Sequence, residues 1–90
     1  MVLYDIRWKE SAKKELKNLD KPIIKRLLET IAPLAENPRP VACKKLRGAD
    51  DLYRIRVADY RVVYSIDDKV LIIEIIRVGH RRKIYQRKFG

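Results

Sequence analysis

Two short stretches of alternating apolar and polar residues, separated by only two residues, set the strongest constraint on how this chain folds. Leu52–Val57 and Tyr60–Ile66 alternate with a period of two, the period of a strand with one buried face. Lys69–Val78 follows directly and is rich in β-branched residues, which favour strands. The pattern therefore predicts three consecutive strands, joined by two-residue turns at Ala58–Asp59 and Asp67–Asp68.

The residues before these strands predict another strand and a pair of helices. Residues 2–8 alternate as a strand does, and Ser11 can then cap a short first helix. Asp20 can cap a second helix, which Pro33 should kink or end. A link this short makes the two helices an antiparallel hairpin. Each helix has one apolar stripe: Ala12, Leu16 and Leu19 in the first, and Ile24, Leu27, Leu28, Ile31 and Ala35 in the second.

Together these patterns predict an α+β fold of order β-α-α-β-β-β. An antiparallel sheet packs on the N-terminal helix hairpin, and a basic tail follows. The chain has 90 residues, so we expect one domain over 1–90. A loop is expected from Val41 to about Asp51, while the place of the first strand in the sheet stays open.

Two-residue turns would also determine which side chains share a face of the sheet. Arg56 would lie opposite Arg61, and Arg61 would lie opposite Glu74 on the next strand. One face is then apolar and receives the helices, with Tyr53, Ile55, Val57, Tyr60, Val62, Tyr64, Leu71, Ile73 and Ile75. The other face carries Arg54, Arg56, Arg61 and Glu74, with Val63 and Ile72 among them.

The pairing of Arg56 with Arg61 has two readings. Like charges directly opposite each other destabilise a sheet, by on the order of 0.2–1 kcal/mol. Either Glu74 bridges the two arginines in a surface network, or the guanidiniums form a preformed site for a phosphate group.

Charge supports a polyanionic partner. Lys and Arg number 22 against 12 Asp and Glu, a formal net charge of +10. Such an excess is typical of chains that bind nucleic acid, an acidic protein or an anionic membrane, although a solubilising surface is the alternative. Six of the cations follow residue 76: Arg77, Arg81, Arg82, Lys83, Arg87 and Lys88. We expect His80, Arg81 and Tyr85 to fold back beside the arginine face.

Other features of the sequence indicate the cellular compartment. Cys43 is the only cysteine, which rules out an internal disulfide and fits a reducing cytoplasm. The N-terminus carries charge too early for a signal peptide, and Glu74 interrupts the longest apolar run, Val70–Ile76. We therefore expect a cytoplasmic protein without a membrane partner.

Several ordered segments resemble the RelE/ParE toxin superfamily of toxin–antitoxin systems. The strongest are YRIRV at 53–57, DYRVVY at 59–64, and VGHR at 78–81 followed by Tyr85. Leu19-Asp20, Asn37-Pro38 and Lys45-Leu46-Arg47-Gly48 match as well. The resemblance covers nearly the whole chain and is closer to the RelE branch, whose members are mRNA interferases, than to the ParE branch, whose members poison DNA gyrase.

The resemblance implies cleavage of mRNA in the ribosomal A site. It carries catalytic positions onto Arg54, Arg56, Arg61, Arg81 and Tyr85, with His80 as a further candidate. The reaction expected is attack of the ribose 2′-OH on the adjacent phosphorus, leaving a 2′,3′-cyclic phosphate. One histidine, one cysteine and no paired acidic motif predict no metal and no other cofactor.

Roles follow from side-chain chemistry. Arg61 and Arg81 are expected to bind the phosphate oxygens in the transition state, while Arg54 and Arg56 position the RNA backbone, depress the pKa of a neighbouring group, or do both. Arginine does not lose its proton at usable pH, so none of these is the general base. Three groups remain open for that role: Tyr85 first, then His80 or Glu74. Contacts to RNA or the ribosome are expected from Lys44, Lys45, Arg47, Arg77 and Arg82.

The resemblance also implies partners. We expect a cognate acidic antitoxin that folds on binding, mRNA and the ribosome with its 16S rRNA, and operator DNA only indirectly through the antitoxin. Three alternatives stay open: a ParE-like gyrase poison, an RNA- or ribosome-binding module without chemistry, and an inactive relative kept for its antitoxin.

Overall fold

In the computed structural model, which describes residues 3–48, 51–80 and 82, two helices lie against one face of a five-stranded sheet. The elements are β1 Asp5–Trp8, α1 Glu10–Lys17, α2 Lys21–Ile31, a 3-10 turn Ala32–Ala35, β2 Lys44–Lys45, β3 Leu52–Val57, β4 Tyr60–Asp67 and β5 Ile72–His80. The strand order is β1-β5-β4-β3-β2. The predicted α+β class and element order are confirmed, with β2 added inside the expected loop.

The helices begin and end for local reasons. α1 starts at Glu10, two residues earlier than a Ser11 cap would allow, and its N-cap is Lys9. Asp20 is the N-cap of α2 as predicted, and its carbonyl accepts hydrogen bonds from the Ile23 and Ile24 amides. α2 ends two residues before Pro33, which lies in the 3-10 turn because proline cannot donate the next helical hydrogen bond.

The sheet is mixed, which corrects the expectation of a wholly antiparallel one. β1 runs parallel to β5, with Asp5 opposite Ile72 and Trp8 opposite Ile75. No tight turn joins β1 to another strand, so the hairpin geometry that sets the direction of β3, β4 and β5 does not act on it.

The β3–β4 hairpin has the predicted register. Ala58 and Asp59 form the two-residue turn, and Ala58 has the positive φ of 56° that such a turn requires. Arg56 lies opposite Arg61, and Ile55 opposite Val62.

The predicted β4–β5 register is wrong, because the turn holds four residues, 68–71, instead of two. The Asp67 carboxylate accepts a hydrogen bond from the Lys69 amide at 3.0 Å and so stabilises the longer turn. Arg61 therefore lies opposite Gly79, and Glu74 lies opposite Ser65. A bulge follows, because Val63 pairs with Arg77 but Tyr64 pairs with Ile75, leaving Ile76 as an extra residue.

The core lies between the helices and the inner face of the sheet. Its buried residues are Ala12, Leu27, Ile31, Leu34, Ile55, Val57, Val62, Tyr64, Ile66, Ile73, Ile75 and Val78. Leu71, which we expected on this face, lies in the β4–β5 turn with a φ of 57°. The apolar stripe of α2 is only half used, because Leu27 and Ile31 are buried while Leu28 is 44% exposed.

Tyr64 fastens the proline-rich loop to the core. Its hydroxyl donates to the Pro38 carbonyl at 2.8 Å, and burial together with a hydrogen bond to Cys43 raises its pKa. Nearby, Asp68 accepts hydrogen bonds from Tyr4 at 2.6 Å and from Arg39 at 2.8 Å. These bonds hold the start of β1, the loop and the β4–β5 turn together at one end of the sheet.

Candidate anion-binding site

The outer face of the sheet, turned away from the helices, carries cations on three adjacent strands. Lys44 lies opposite Arg54, and Arg56 lies opposite Arg61. Directly paired residues share a face and have Cβ atoms roughly 4.5–5.5 Å apart. We call Lys44, Arg54, Arg56 and Arg61 the cationic face. It contains two like-charge pairs, each of which costs stability on the order of 0.2–1 kcal/mol.

Arg61 is the buried member of the cationic face. Its side chain lies on the outer side of β4, yet only 4% of the residue is exposed. One terminal nitrogen donates to the Tyr60 carbonyl at 3.1 Å, whereas Nε has no hydrogen-bond partner among the described residues. A buried charged group with an unused donor is costly unless an anion satisfies it. Nε itself is closed to solvent, so a phosphate oxygen would accept from it only after the Arg61 side chain turns outward.

The other members of the cationic face surround this buried donor with accessible charge. Arg56 and Lys44 are exposed, and Arg54 is half-buried. Within the described ranges, no carboxylate forms an ion pair with Arg54, Arg56 or Arg61. The alternative in which Glu74 bridges the two arginines is not observed, because the register separates Glu74 from Arg61 by four residues of β4, about 13 Å.

His80 lies on the opposite side of the sheet from the cationic face. It pairs with Tyr60, and the two rings meet edge to face with centroids 5.5 Å apart. Its Nδ1 accepts a hydrogen bond from the Arg82 amide at 3.3 Å. The structure therefore does not bring His80 beside Arg56 and Arg61. Arg81 and Tyr85 lie outside the described residues, and their proposed roles stay predictions.

Arg77 is held by a carboxylate that the sequence did not reveal. Its Nη2 lies 3.0 Å from Glu15 Oε2, and the other oxygen of Glu15 accepts from the Val78 amide at 3.0 Å. β1 pairs with β5 only as far as Ile75, so α1 provides the next hydrogen-bond partner along that edge. The available signal was the position of Glu15, three residues after buried Ala12 and beside the apolar stripe of α1.

The remaining basic candidates are dispersed. Lys45 pairs with Tyr53 and so points to the other face from Lys44. Arg47 is exposed next to Gly48, whose φ of 76° turns the chain, and Arg82 is exposed after β5. Of the five residues expected to contact RNA or the ribosome, only Lys44 joins the cationic face.

Comparison with known proteins decides the family. Residues 6–85 match the family model described as ParE toxin of type II toxin-antitoxin system, parDE. The chain belongs to the RelE/ParE toxin superfamily. This RelE/ParE toxin is 32% identical to the mRNA interferase toxin RelE of Escherichia coli strain K12 over 84 residues, 91% of this chain and 87% of the relative. It is 31% identical to Toxin RelG of Mycobacterium tuberculosis over 85 residues, 93% and 98% of the two chains.

Solved structures agree with this family. The archaeal RelE–RelB complex from Pyrococcus horikoshii OT3 superposes on the RelE/ParE toxin with a TM-score of 0.78 at 34% identity, covering 89% of this chain and 97% of that one. The intact Escherichia coli RelBE toxin–antitoxin complex gives 0.77 at 33% identity, covering 86% and 95%. Within the described residues, no helix is long and apolar enough to cross a bilayer.

Proposed function

We propose that this toxin is a ribosome-dependent endoribonuclease that cleaves mRNA in the A site. The observation that carries the proposal is the buried Arg61, with an unused Nε donor, paired with Arg56 on β3; among the described residues neither arginine forms an ion pair with a carboxylate. The name mRNA interferase on relatives above 30% identity supports it.

The chemistry needs stabilisation of negative charge at phosphorus. The 2′ oxygen forms a bond to phosphorus, and the bond from phosphorus to the 5′ oxygen breaks. One proton leaves the 2′-OH and one joins the 5′ oxygen, giving a 2′,3′-cyclic phosphate and a 5′-OH. Charge builds on the non-bridging oxygens, where Arg61 and Arg56 each supply a guanidinium. Removing one such donor typically costs about 10²–10³-fold in rate.

Proton transfer requires a residue outside the cationic face, because arginine keeps its proton. Tyr85 is our first candidate for the general base, activated by neighbouring cations. His80 is the second, although it would have to leave its contact with Tyr60 to reach the phosphate. Glu74 is disfavoured by its distance of about 13 Å from Arg61 along β4.

The ribosome supplies what the toxin lacks. Positioning of two reacting groups alone contributes several kcal/mol, so a substrate held in the A site compensates for a poor set of proton-transfer groups. We propose that Lys44, Lys45, Arg47 and Arg82 contact RNA phosphates, including those of 16S rRNA. A cognate acidic antitoxin completes the system, as the RelE–RelB complexes among the structural relatives suggest.

The test is cleavage of translated mRNA in a purified translation system, with the new 5′ ends mapped and the 2′,3′-cyclic phosphate detected. Arg61→Ala should lower the rate by about 10²–10³-fold. Arg7→Ala is a matched control. Arg7 also lies on the outer face, because its neighbour Ile6 packs on the core, but it is on β1, with β5 between it and β4, and it pairs with exposed Asp5. Equal rates for the wild type and Arg61→Ala would refute the assignment.

A gyrase poison is the second candidate, favoured by the ParE description of the matching family model. It needs no aligned donors for phosphate chemistry. Inhibition of DNA supercoiling without mRNA cleavage would establish it in place of the nuclease.

A further inference from the structure

The outer side of α2 carries an apolar groove that the core does not use. Its volume is about 480 Å³, and it is lined by Lys21, Ile24, Lys25, Leu28, Glu29 and Ala32. Leu28 is 44% exposed, although an isolated exposed leucine would be unremarkable. Here the apolar residues recur every four positions and form a continuous line along the helix.

The groove exists because the apolar arc of α2 is wider than the sheet can cover. Successive residues are about 100° apart around a helix, so Ile23 to Ala32 span roughly 180° of apolar surface. The inner half contacts the core, and the outer half faces outward. The inner residues are Ile23, Leu27 and Ile31, and the outer residues are Ile24, Leu28 and Ala32.

Charge around the groove favours one kind of occupant. Two lysines, Lys21 and Lys25, line the groove against one carboxylate, Glu29, and neither lysine forms an ion pair among the residues that the structure describes. Ala32 is small enough to let a second helix approach closely. An amphipathic helix that presents apolar residues at spacings of three and four, with acids beside them, fits this surface.

We propose that the outer side of α2 is a docking site for an acidic amphipathic helix of the antitoxin. The inference rests on the antitoxin partnership of the proposed function, and it concerns a surface separate from the cationic face. A second copy of this chain fits less well, because two chains of net charge +10 would repel each other where lysines line the contact.

The probe is the acidic protein encoded beside the gene of this chain, titrated calorimetrically at two salt concentrations. Leu28→Ser should weaken binding on the order of tenfold or more, because it removes an apolar anchor. Lys25→Glu and Arg26→Glu change the net charge equally but lie on different sides of α2. Only Lys25→Glu should weaken binding severalfold, and more so at low salt.

Three results would overturn the docking site: binding of Leu28→Ser equal to that of wild type, equal losses for Lys25→Glu and Arg26→Glu, or no binding by wild type. A wild-type dimer in sedimentation that Leu28→Ser dissociates would assign the groove to a second copy instead. Thermal melting of each variant by circular dichroism checks the fold. Cleavage of translated mRNA by the wild type without antitoxin is measured in parallel. If the wild type does not cleave mRNA, the proposed function is refuted, whereas the result on antitoxin docking still holds.

Discussion

Arg61 and Gly79 lie directly opposite each other between β4 and β5, on the outer face of the sheet. Opposite Arg61, β5 therefore presents backbone without a side chain. No atom of the described residues lies within 4 Å of the position that a Cβ on residue 79 would take. The outer face of the sheet is thus open at residue 79, opposite Arg61.

Filling this space should separate activity from stability. Gly79→Ala should leave the protein equally stable or raise its stability by about 0.4–1 kcal/mol, because alanine restricts the unfolded chain. Gly79→Val should lower mRNA cleavage more than Gly79→Ala does, because its methyl groups stand where the phosphate approaches. Cleavage rates and urea unfolding of both variants provide the check, and wild-type cleavage by Gly79→Val would show that the space is not used.

Arg56 should be a residue whose loss improves stability and impairs function. Arg56 lies directly opposite Arg61, and such a like-charge pair is destabilising by on the order of 0.2–1 kcal/mol. Arg56→Gln should therefore raise the melting temperature slightly while it lowers the cleavage rate. A lower melting temperature would mean that Arg56 has a stabilising partner.

Glu15 should matter for stability through two separate hydrogen bonds. Glu15→Gln keeps an oxygen for the Val78 amide but loses the charge that holds Arg77, whereas Glu15→Ala loses both. We expect Glu15→Ala to cost about 1–3 kcal/mol of unfolding free energy, and Glu15→Gln less. Urea unfolding of the single variants and of the double variant with Arg77→Ala measures the coupling. Equal costs for Gln and Ala would mean that the Val78 bond contributes nothing.

Asp68 should make stability depend on pH in the acid range. Hydrogen bonds from Arg39 and then Tyr4 lower the pKa of its carboxyl below the ordinary value of 3.8. Its contribution is therefore fully present above the unfolded pKa and is lost as the pH falls through the lower folded pKa. Melting temperatures of wild type and Asp68→Asn should differ most at neutral pH and converge below pH 3.8. A constant difference across that range would refute this.

Strand identity was predictable, whereas strand register was predictable only where the turn was short. The alternation in Leu52–Val57 and Tyr60–Ile66 depends on one buried face, which gave the elements and the Arg56–Arg61 pair. The β4–β5 turn was misjudged because the Asp67 side chain supports a longer turn that no glycine marks. The longer turn moved the register by four residues and the bulge at Ile76 moved it by one more, so Gly79 replaced Glu74 opposite Arg61.

The candidate site was predicted in part for the same reason. Arg54, Arg56 and Arg61 share a face because neighbouring strands alternate in step, which the sequence reveals. Lys44 joins them through β2, a two-residue strand too short to produce a periodic pattern. The burial of Arg61 and the place of His80 depend on packing between distant segments, which local patterns do not report.

Glu15 also decides where the sheet can grow. Its carboxylate accepts a hydrogen bond from the Val78 amide, on the side of β5 that faces α1. A strand from another molecule would need that same backbone donor to pair with β5 there. At the opposite edge, β2 pairs only with Tyr53 and Arg54, so within the described residues the backbone of 55–57 has no strand beside it. An incoming polypeptide that extended the sheet would enter there, alongside Arg56, and an inhibitor built as a β-strand should be aimed at that edge.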